Sequence, residues 1–443
     1  MTERGYRFTG AVAIVADGRA EVGGDGDEAR ELVIRDGVVQ SDARGDEIEI
    51  DATGCVLTPG LVNAHHHLLQ SAFRTLPGTR GVPMATWLPT MAAAYARVGV
   101  DAELAAAAAS VGVAEGLLCG VTTVADHHLT WPAGADDVAI STAVADAAGA
   151  LGGRLVFVRG AARDDPQAAA AGAEAIAAAW SADGEAAGLA RDGMLQLAVG
   201  PAGVHSDPRE TFELLGEVAA RHGLRRRTQA NEQVDVDIAR ERYGLRPIDL
   251  LDEWGWLAPD VTLAHLCAVT DAEIARLAAA GVSATHAPGC DVPMGWGVAP
   301  VADLLAAGLA VGLGTSGGGS NDAGHLLADA RLAMQVSGLV GPALPARTVL
   351  ALATEGSARG LGRDELGHLR VGAAADVCVW DVSGAADAGV ADPVAGLLWA
   401  SPGRRPRDVF VAGRPVVRAG TLLTADEHAV ATRLRRTLAA RER

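Results

Sequence analysis

Three consecutive histidines, His65, His66 and His67, end the apolar run Leu61-Val62-Asn63-Ala64. In an extended strand alternate side chains share a face, so His65 and His67 would point one way and His66 the other. Neutral imidazole binds metals readily, and this spacing offers a pair of metal ligands. The plainer alternative is a histidine-rich turn. Other short apolar runs also end in polar tips: Asp126-His127-His128, His205-Ser206-Asp207, Gln229-Ala230-Asn231-Glu232, His265, His286 and Ser316-Gly317. Eight of the 12 histidines stand at these tips, a concentration that scattered surface histidines would not produce. Taken together they point to metal-assisted hydrolysis, in which a cation activates water and a carboxylate carries its proton.

Such a site needs a scaffold that gathers strand ends into one cavity. Eight apolar runs recur, at 61–67, 121–128, 154–159, 195–205, 226–232, 261–265, 282–288 and 310–316. Stretches with helical apolar spacing follow at 102–118, 165–180, 208–222, 247–254, 271–279, 301–307 and 322–337. Eight strand–helix units close a parallel barrel whose chemistry collects at the carboxyl ends of its strands, so the fold class is α/β, a TIM-like (β/α)8 barrel. Short β-rich runs with Gly/Asp turns precede it at 10–15, 31–34, 38–40 and 47–50, and others follow it at 375–382, 407–411 and 415–417. The two ends share one style and should pair as a small composite β-domain packed on the barrel. The expected division is 1–57 with 367–443 for that domain and 58–366 for the barrel.

Composition narrows the function. Hydrophobic residues make up 49% and charged residues 21% of the 443, which fits a globular chain. The formal net charge is −18 and the nearest basic cluster is Arg225-Arg226-Arg227, so nucleic acid is not an expected partner. The Ala-rich stretch at 102–118 is interrupted by Glu103, Ser110 and Glu115, and no signal-peptide core opens the chain, so no membrane partner and a cytoplasmic location are expected. Cys55, Cys119, Cys267, Cys290 and Cys378 form no C-x-x-C pair and read as free thiols. The chain has no lysine, which excludes a lysine Schiff base, a pyridoxal-phosphate anchor and a P-loop. No carboxylated lysine can bridge two metals, so a metal centre would hold one ion.

The segment Pro59-Gly60-Leu61-Val62-Asn63-Ala64-His65-His66-His67, with Leu366 to Gly372 and Ala374-Ala375-Asp376, resembles the signatures of the amidohydrolase superfamily, in its deaminase and chlorohydrolase branch. Triazine hydrolases are similar through Met294 to Pro300, Gly314-Thr315-Ser316-Gly317 and Ser320-Asn321-Asp322. The resemblance covers essentially the whole chain and implies a barrel with a composite β-sandwich from both termini. It makes His65 and His67 metal ligands, Glu232 the proton shuttle, and His265 the residue that polarises substrate or orients water. Two positions depart from it: Gln229 stands where a third metal histidine is expected, and Ser316 where an aspartate serves as ligand and base. An amide for an imidazole and a hydroxyl for a carboxylate both weaken zinc binding. Gln229 through its carbonyl oxygen, Glu232 or His265 would complete a one-zinc site.

Gln70, Trp87, Asp126, His128, His286 and Trp296 are the expected substrate-binding residues, the two tryptophans closing over a flat ring. Asn321 and Asp322 would brace the eighth-strand loop. The implied activity is hydrolysis of a nitrogen-rich heterocycle or amidine-like substrate with loss of ammonia, an amine or another leaving group. The altered ligands leave two alternatives: a metal-poor or metal-free enzyme of elimination, isomerisation or cyclisation in a biosynthetic pathway, and a non-catalytic heterocycle-binding protein. A homodimer is the base-rate expectation for assembly.

Overall fold

The computed structural model describes residues 5–17, 31–180, 188–232 and 234–441; parts of the expected terminal domain, 1–4, 18–30 and 442–443, lie outside them. Eight parallel barrel strands follow one another in space as in sequence: Leu61–His67, Val121–His128, Arg154–Ala161, Leu195–Pro201, Arg225–Ala230, Val261–His265, Ser283–His286 and Val311–Leu313. Most of their residues are buried, as expected of parallel strands covered by helices on the outside and side chains within.

The eighth strand is split. Val311–Leu313 pairs with the seventh strand, and Ser316–Gly317 pairs with the first through Ser316 opposite His66 and Gly317 opposite His67. The break sits where a Cβ on Gly314 would lie 2.6 Å from the His65 carbonyl oxygen, and where Ser316 takes a φ of 53°. Asn63 fills the gap in the ladder: its Nδ2 donates to Thr315 Oγ1 at 2.8 Å and its Oδ1 accepts the Thr315 N–H at 3.2 Å. His66 Nδ1 lies 2.8 Å from the same hydroxyl. It is thereby committed to barrel closure, on the face away from His65 and His67.

Strands four and five end earlier than the apolar runs suggest. The fourth stops at Pro201, which has no N–H for a further ladder bond, and the fifth at Ala230, because Asn231 adopts a left-handed φ of 55°. The helices Ala102–Leu118 and Asp271–Ala279 match their expected spans, their first turns capped by Asp101 and Thr270. Met84–Val98, which carries Pro89 inside it, and Asp137–Leu151 were not expected from the apolar spacing. Among the described residues no helix is long and apolar enough to cross a membrane.

The chain ends build two small sheets. One runs Val38–Gln40, Glu31–Arg35, Tyr6–Thr9, Ile48–Asp51, and the other Ala13–Ile14, Cys55–Pro59, Val377–Asp381, Asp408–Val411, Arg414–Arg418, Thr421–Leu422. Cys55–Pro59 and Val377–Asp381 pair antiparallel, so strands from both ends lie side by side. Phe8, Ile34, Leu57, Val377 and Phe410 share the core between the sheets. A buried ion pair ties this unit to the barrel: Arg154, at the start of the third barrel strand, donates to Asp376 from Nε at 2.9 Å and from Nη2 at 3.1 Å. Asp376 also accepts the Ala412 N–H at 2.8 Å. Removing one partner of a buried pair strands the other charge, so Asp376→Ala should cost roughly 3–5 kcal/mol, read as a lower urea midpoint with an unchanged slope. A midpoint equal to that of the unaltered protein would refute this role.

Candidate active site

A cavity of about 430 Å³ opens at the carboxyl ends of the barrel strands, lined by the tips His67, Asp126, His127, His128, Gln229, Glu232 and Ser316. Its other wall is apolar and includes Met84, Trp87, Met91 and Tyr95 of the helix Met84–Val98, with Trp131 and Trp296.

Strand alternation delivers His65 and His67 to the barrel interior, their ring centroids 4.9 Å apart. His67 Nδ1 donates to the His127 carbonyl at 2.7 Å, which leaves Nε2 as the lone-pair nitrogen. His65 Nε2 is buried without a hydrogen-bond partner among the described residues. Both rings are kept neutral: burial holds His65 well below the usual histidine range and His67 down to about 4. Arg227, two residues before Gln229 and on the same interior face, donates to the Ala64 carbonyl and adds a positive charge that also disfavours protonation of His65.

The acid–base chemistry lies on the opposite wall. The left-handed Asn231, whose N–H donates to Asp235 Oδ2 at 2.7 Å, carries the chain from the fifth strand to Glu232, which is 1% exposed. Among the described residues neither Glu232 oxygen has a hydrogen bond of good geometry, yet Oε1 lies 3.1 Å from His265 Nε2. Gln229 Oε1 is 3.2 Å from that same nitrogen, while Gln229 Nε2 donates to the Ala202 carbonyl at 3.0 Å. The amide is therefore fixed with its oxygen toward His265. His265 Nδ1 donates to Asp291 Oδ1 at 2.7 Å. With acceptors at both nitrogens the ring is an imidazolium: burial opposes its charge, but Asp291 and then Glu232 outweigh it and raise the ring to about 9. Burial raises the Glu232 carboxyl above its usual range, which makes the carboxylate a stronger base.

The expected substrate-contacting residues divide. Trp296 lies 6.4 Å from Trp87 and 5.8 Å from His265, centroid to centroid, and its Nε1 is buried without a hydrogen-bond partner among the described residues. Trp87 Nε1 donates to the Gly319 carbonyl at 3.0 Å and Gln70 Oε1 accepts the Gly319 N–H at 2.9 Å, so both hold the eighth-strand loop while lining the cavity. Asp126 accepts the Leu68 N–H at 2.8 Å through Oδ1; its other oxygen has no hydrogen-bond partner among the described residues, and burial pushes the carboxyl up to about 7. His128 Nε2 donates to the Thr130 carbonyl at 3.2 Å. His286 lies away from the cavity wall, its Nδ1 3.8 Å from Asp291 Oδ2. Ser316 Oγ is 3.4 Å from Ser320 Oγ, and Asn321 Nδ2 donates to the Thr315 carbonyl at 2.9 Å.

Asp291 was not anticipated. It is fully buried on the short helix Pro288–Asp291 that follows the seventh strand, and the only sequence signal for it is an aspartate just beyond a strand-end histidine and proline.

A catalytic zinc takes three protein donors and a water. His65 and His67 supply two imidazoles suited to that task. The third position is not supplied: the Gln229 oxygen is engaged by His265, Ser316 offers a hydroxyl, and Glu232 is paired with His265. Among the described residues the one compact group of three His, Cys, Asp or Glu donors is His265, Cys290 and Asp291, which includes neither first-strand histidine. The donor set thus fits half of a catalytic zinc site and not the whole.

A model of the amidohydrolase family matches residues 56–416. An 8-oxoguanine deaminase of Pseudomonas aeruginosa is 34% identical over 412 residues, covering 87% of this chain and 89% of that protein. An isoxanthopterin deaminase of an unknown prokaryotic organism is 33% identical over 408 residues, covering 84% and 83%. Among solved structures, triazine hydrolase of Arthrobacter aurescens aligns with a TM-score of 0.89 at 31% identity, covering 98% of this chain and 100% of that one. Atrazine chlorohydrolase of the same organism, complexed with zinc, aligns with a TM-score of 0.87 at 31% identity over the same shares. From the barrel, the strand-end constellation and these matches, the chain belongs to the amidohydrolase family.

Proposed function

We propose that this protein hydrolyses a carbon–nitrogen bond on a flat, nitrogen-rich heterocycle, replacing an exocyclic amine by oxygen. The observation that carries this reading is Glu232, a buried carboxylate at the cavity whose Oε1 lies 3.1 Å from an imidazole whose other nitrogen is held by Asp291. The apolar wall of Trp87, Met91, Trp131 and Trp296 suits a planar ring with an apolar substituent. The similarity to deaminases of 8-oxoguanine and isoxanthopterin supports a fused, amino-substituted ring as substrate.

Water held against Glu232 gives up a proton to the carboxylate as its oxygen attacks the ring carbon. The His265 Nε2–H, 3.1 Å from Glu232 and 3.2 Å from Gln229, is held in position to donate to the oxygen on which charge develops. Asp291 keeps that proton in place. Ser316 positions water and has no basic function. Zinc is present in solved relatives, but the residues here do not complete its ligand set, and no step is assigned to it. The elimination, isomerisation or cyclisation reading draws on the same Gln229 and Ser316 substitutions and would give product without ammonia.

Ammonia release should be found on screening amino-substituted purines, pteridines and triazines, and Glu232→Gln should lower it by about 100-fold or more with the circular dichroism spectrum unchanged. A fully active variant would overturn the assignment. Because the His265 imidazolium is present below about 9 and lost above it, kcat/KM should fall as pH rises through that value. Asp291→Asn should move the fall to lower pH, and an unmoved profile would contradict the pairing. In competition with a chromophoric chelator, added zinc should remain with the chelator. One zinc per chain retained by the protein, and lost in His65→Ala, would show a complete metal site.

A further inference from the structure

His205 enters neither the ligand set nor the Glu232–His265–Asp291 group, yet its ring lines the same cavity. It is 3% exposed, and its Nδ1 lies 3.3 Å from Oδ1 of the fully buried Asp235. A carboxylate can only accept, so Nδ1 carries the proton and Nε2 is the functional nitrogen. Two features fix the ring. Asp235 is itself anchored by the Asn231 N–H, and a Cβ on Gly203 would lie 2.7 Å from His205 Nδ1, so the absence of that atom lets the ring pack against the chain. Asp235 thereby orients two groups at once: the turn that carries Glu232 and the imidazole that shares the cavity with it.

We infer that Asp235 and His205 form a second proton-transfer dyad, with His205 Nε2 protonating the departing amine. The inference rests on the hydrolytic reading and supplies what that reading leaves open. Glu232 takes a proton from water as the carbon–oxygen bond forms and passes it to the ring nitrogen beside the attacked carbon. The tetrahedral adduct then carries a hydroxyl and an amino group on one carbon. The His205 imidazolium gives its Nε2 proton to the amino group as the carbon–nitrogen bond breaks, releasing ammonia. The hydroxyl proton passes to Glu232 as the carbonyl forms, and then to His205, restoring both groups. Overall, water and the aminated ring become ammonia and the oxo ring, with no oxidant or reductant. The charged groups acting on His205 suit this role: burial opposes its protonation, but Asp235, then Glu232 and Asp207, favour it. Arg242 bonds to the His205 backbone carbonyl at 3.5 Å rather than to its ring.

The dyad makes a leaving-group prediction that a packing role does not. An amine must be protonated to depart, whereas chloride departs as the anion. On a ring bearing either group, His205→Gln should slow amine displacement by about 100-fold while chloride displacement changes by no more than about threefold. Asp235→Asn, nearly isosteric, should reproduce the selective loss in weaker form, which guards against a His205 variant that fails to fold. Equal losses on both substrates would assign His205 to structure, and no loss on either would remove it from the reaction; both overturn the dyad while leaving hydrolysis intact. Unaltered protein that displaces neither group would overturn the hydrolytic reading and the dyad with it.

Discussion

An imidazole with an acceptor on each nitrogen organises the floor of this barrel. His265 stands between Asp291 on one side and the Glu232 carboxylate and Gln229 amide oxygen on the other, all buried. Burying a charge is costly unless it is paired and hydrogen-bonded, and here the compensation comes from the end of the fifth strand and from the short helix after the seventh. The amide at 229 has its orientation fixed by the bond from its nitrogen to Ala202, so it presents only an acceptor to His265. A ring that Asp291 and Glu232 favour in its cationic form therefore stands next to a carboxylate whose basicity burial has raised. Water activation is possible on that basis alone.

Holding those groups requires backbone that the chain would otherwise avoid. Asn231, His265, Leu266 and Ser316 all adopt left-handed φ values, at strand tips that shape the cavity. Non-glycine residues in that region cost about 1–3 kcal/mol each and persist only where their surroundings impose it. Asp235 fixes Asn231 through its N–H, Asp291 fixes His265 through its ring, and the Asn63–Thr315 pair holds the broken eighth strand against the first. The Arg154–Asp376 pair fastens the terminal sheets to the third strand at its amino end.

The barrel was legible because its strands are apolar runs of similar length that end in polar tips, and parallel strands must be buried on both faces. The location of the cavity followed from the same tips: Glu232 lines it, and His265 stands directly behind Glu232 at 3.1 Å. Other features depended on contacts that no local pattern records. Asp291 sits on a helix too short to leave an amphipathic signal, and its meaning comes only from the ring it meets. His286 looked equivalent to the other strand-end histidines, yet its ring lies beside Asp291 away from the cavity. The helix Met84–Val98 was hidden by Pro89, although it supplies much of the apolar wall. His205 was visible as a tip, but its pairing with Asp235 spans a strand, a helix and a turn.

The first-strand histidines keep the orientation and neutrality of metal ligands, with one ring donating to a backbone carbonyl as such ligands commonly do. The facing wall holds acid–base groups paired with one another. The central claim is that water, activated by those groups, becomes the oxygen of the product. Turnover of an active aminated heterocycle in water enriched in oxygen-18 tests it most directly: the account predicts one heavy oxygen in the product ring for each ammonia released. Product without the label, or formed without ammonia, would contradict it.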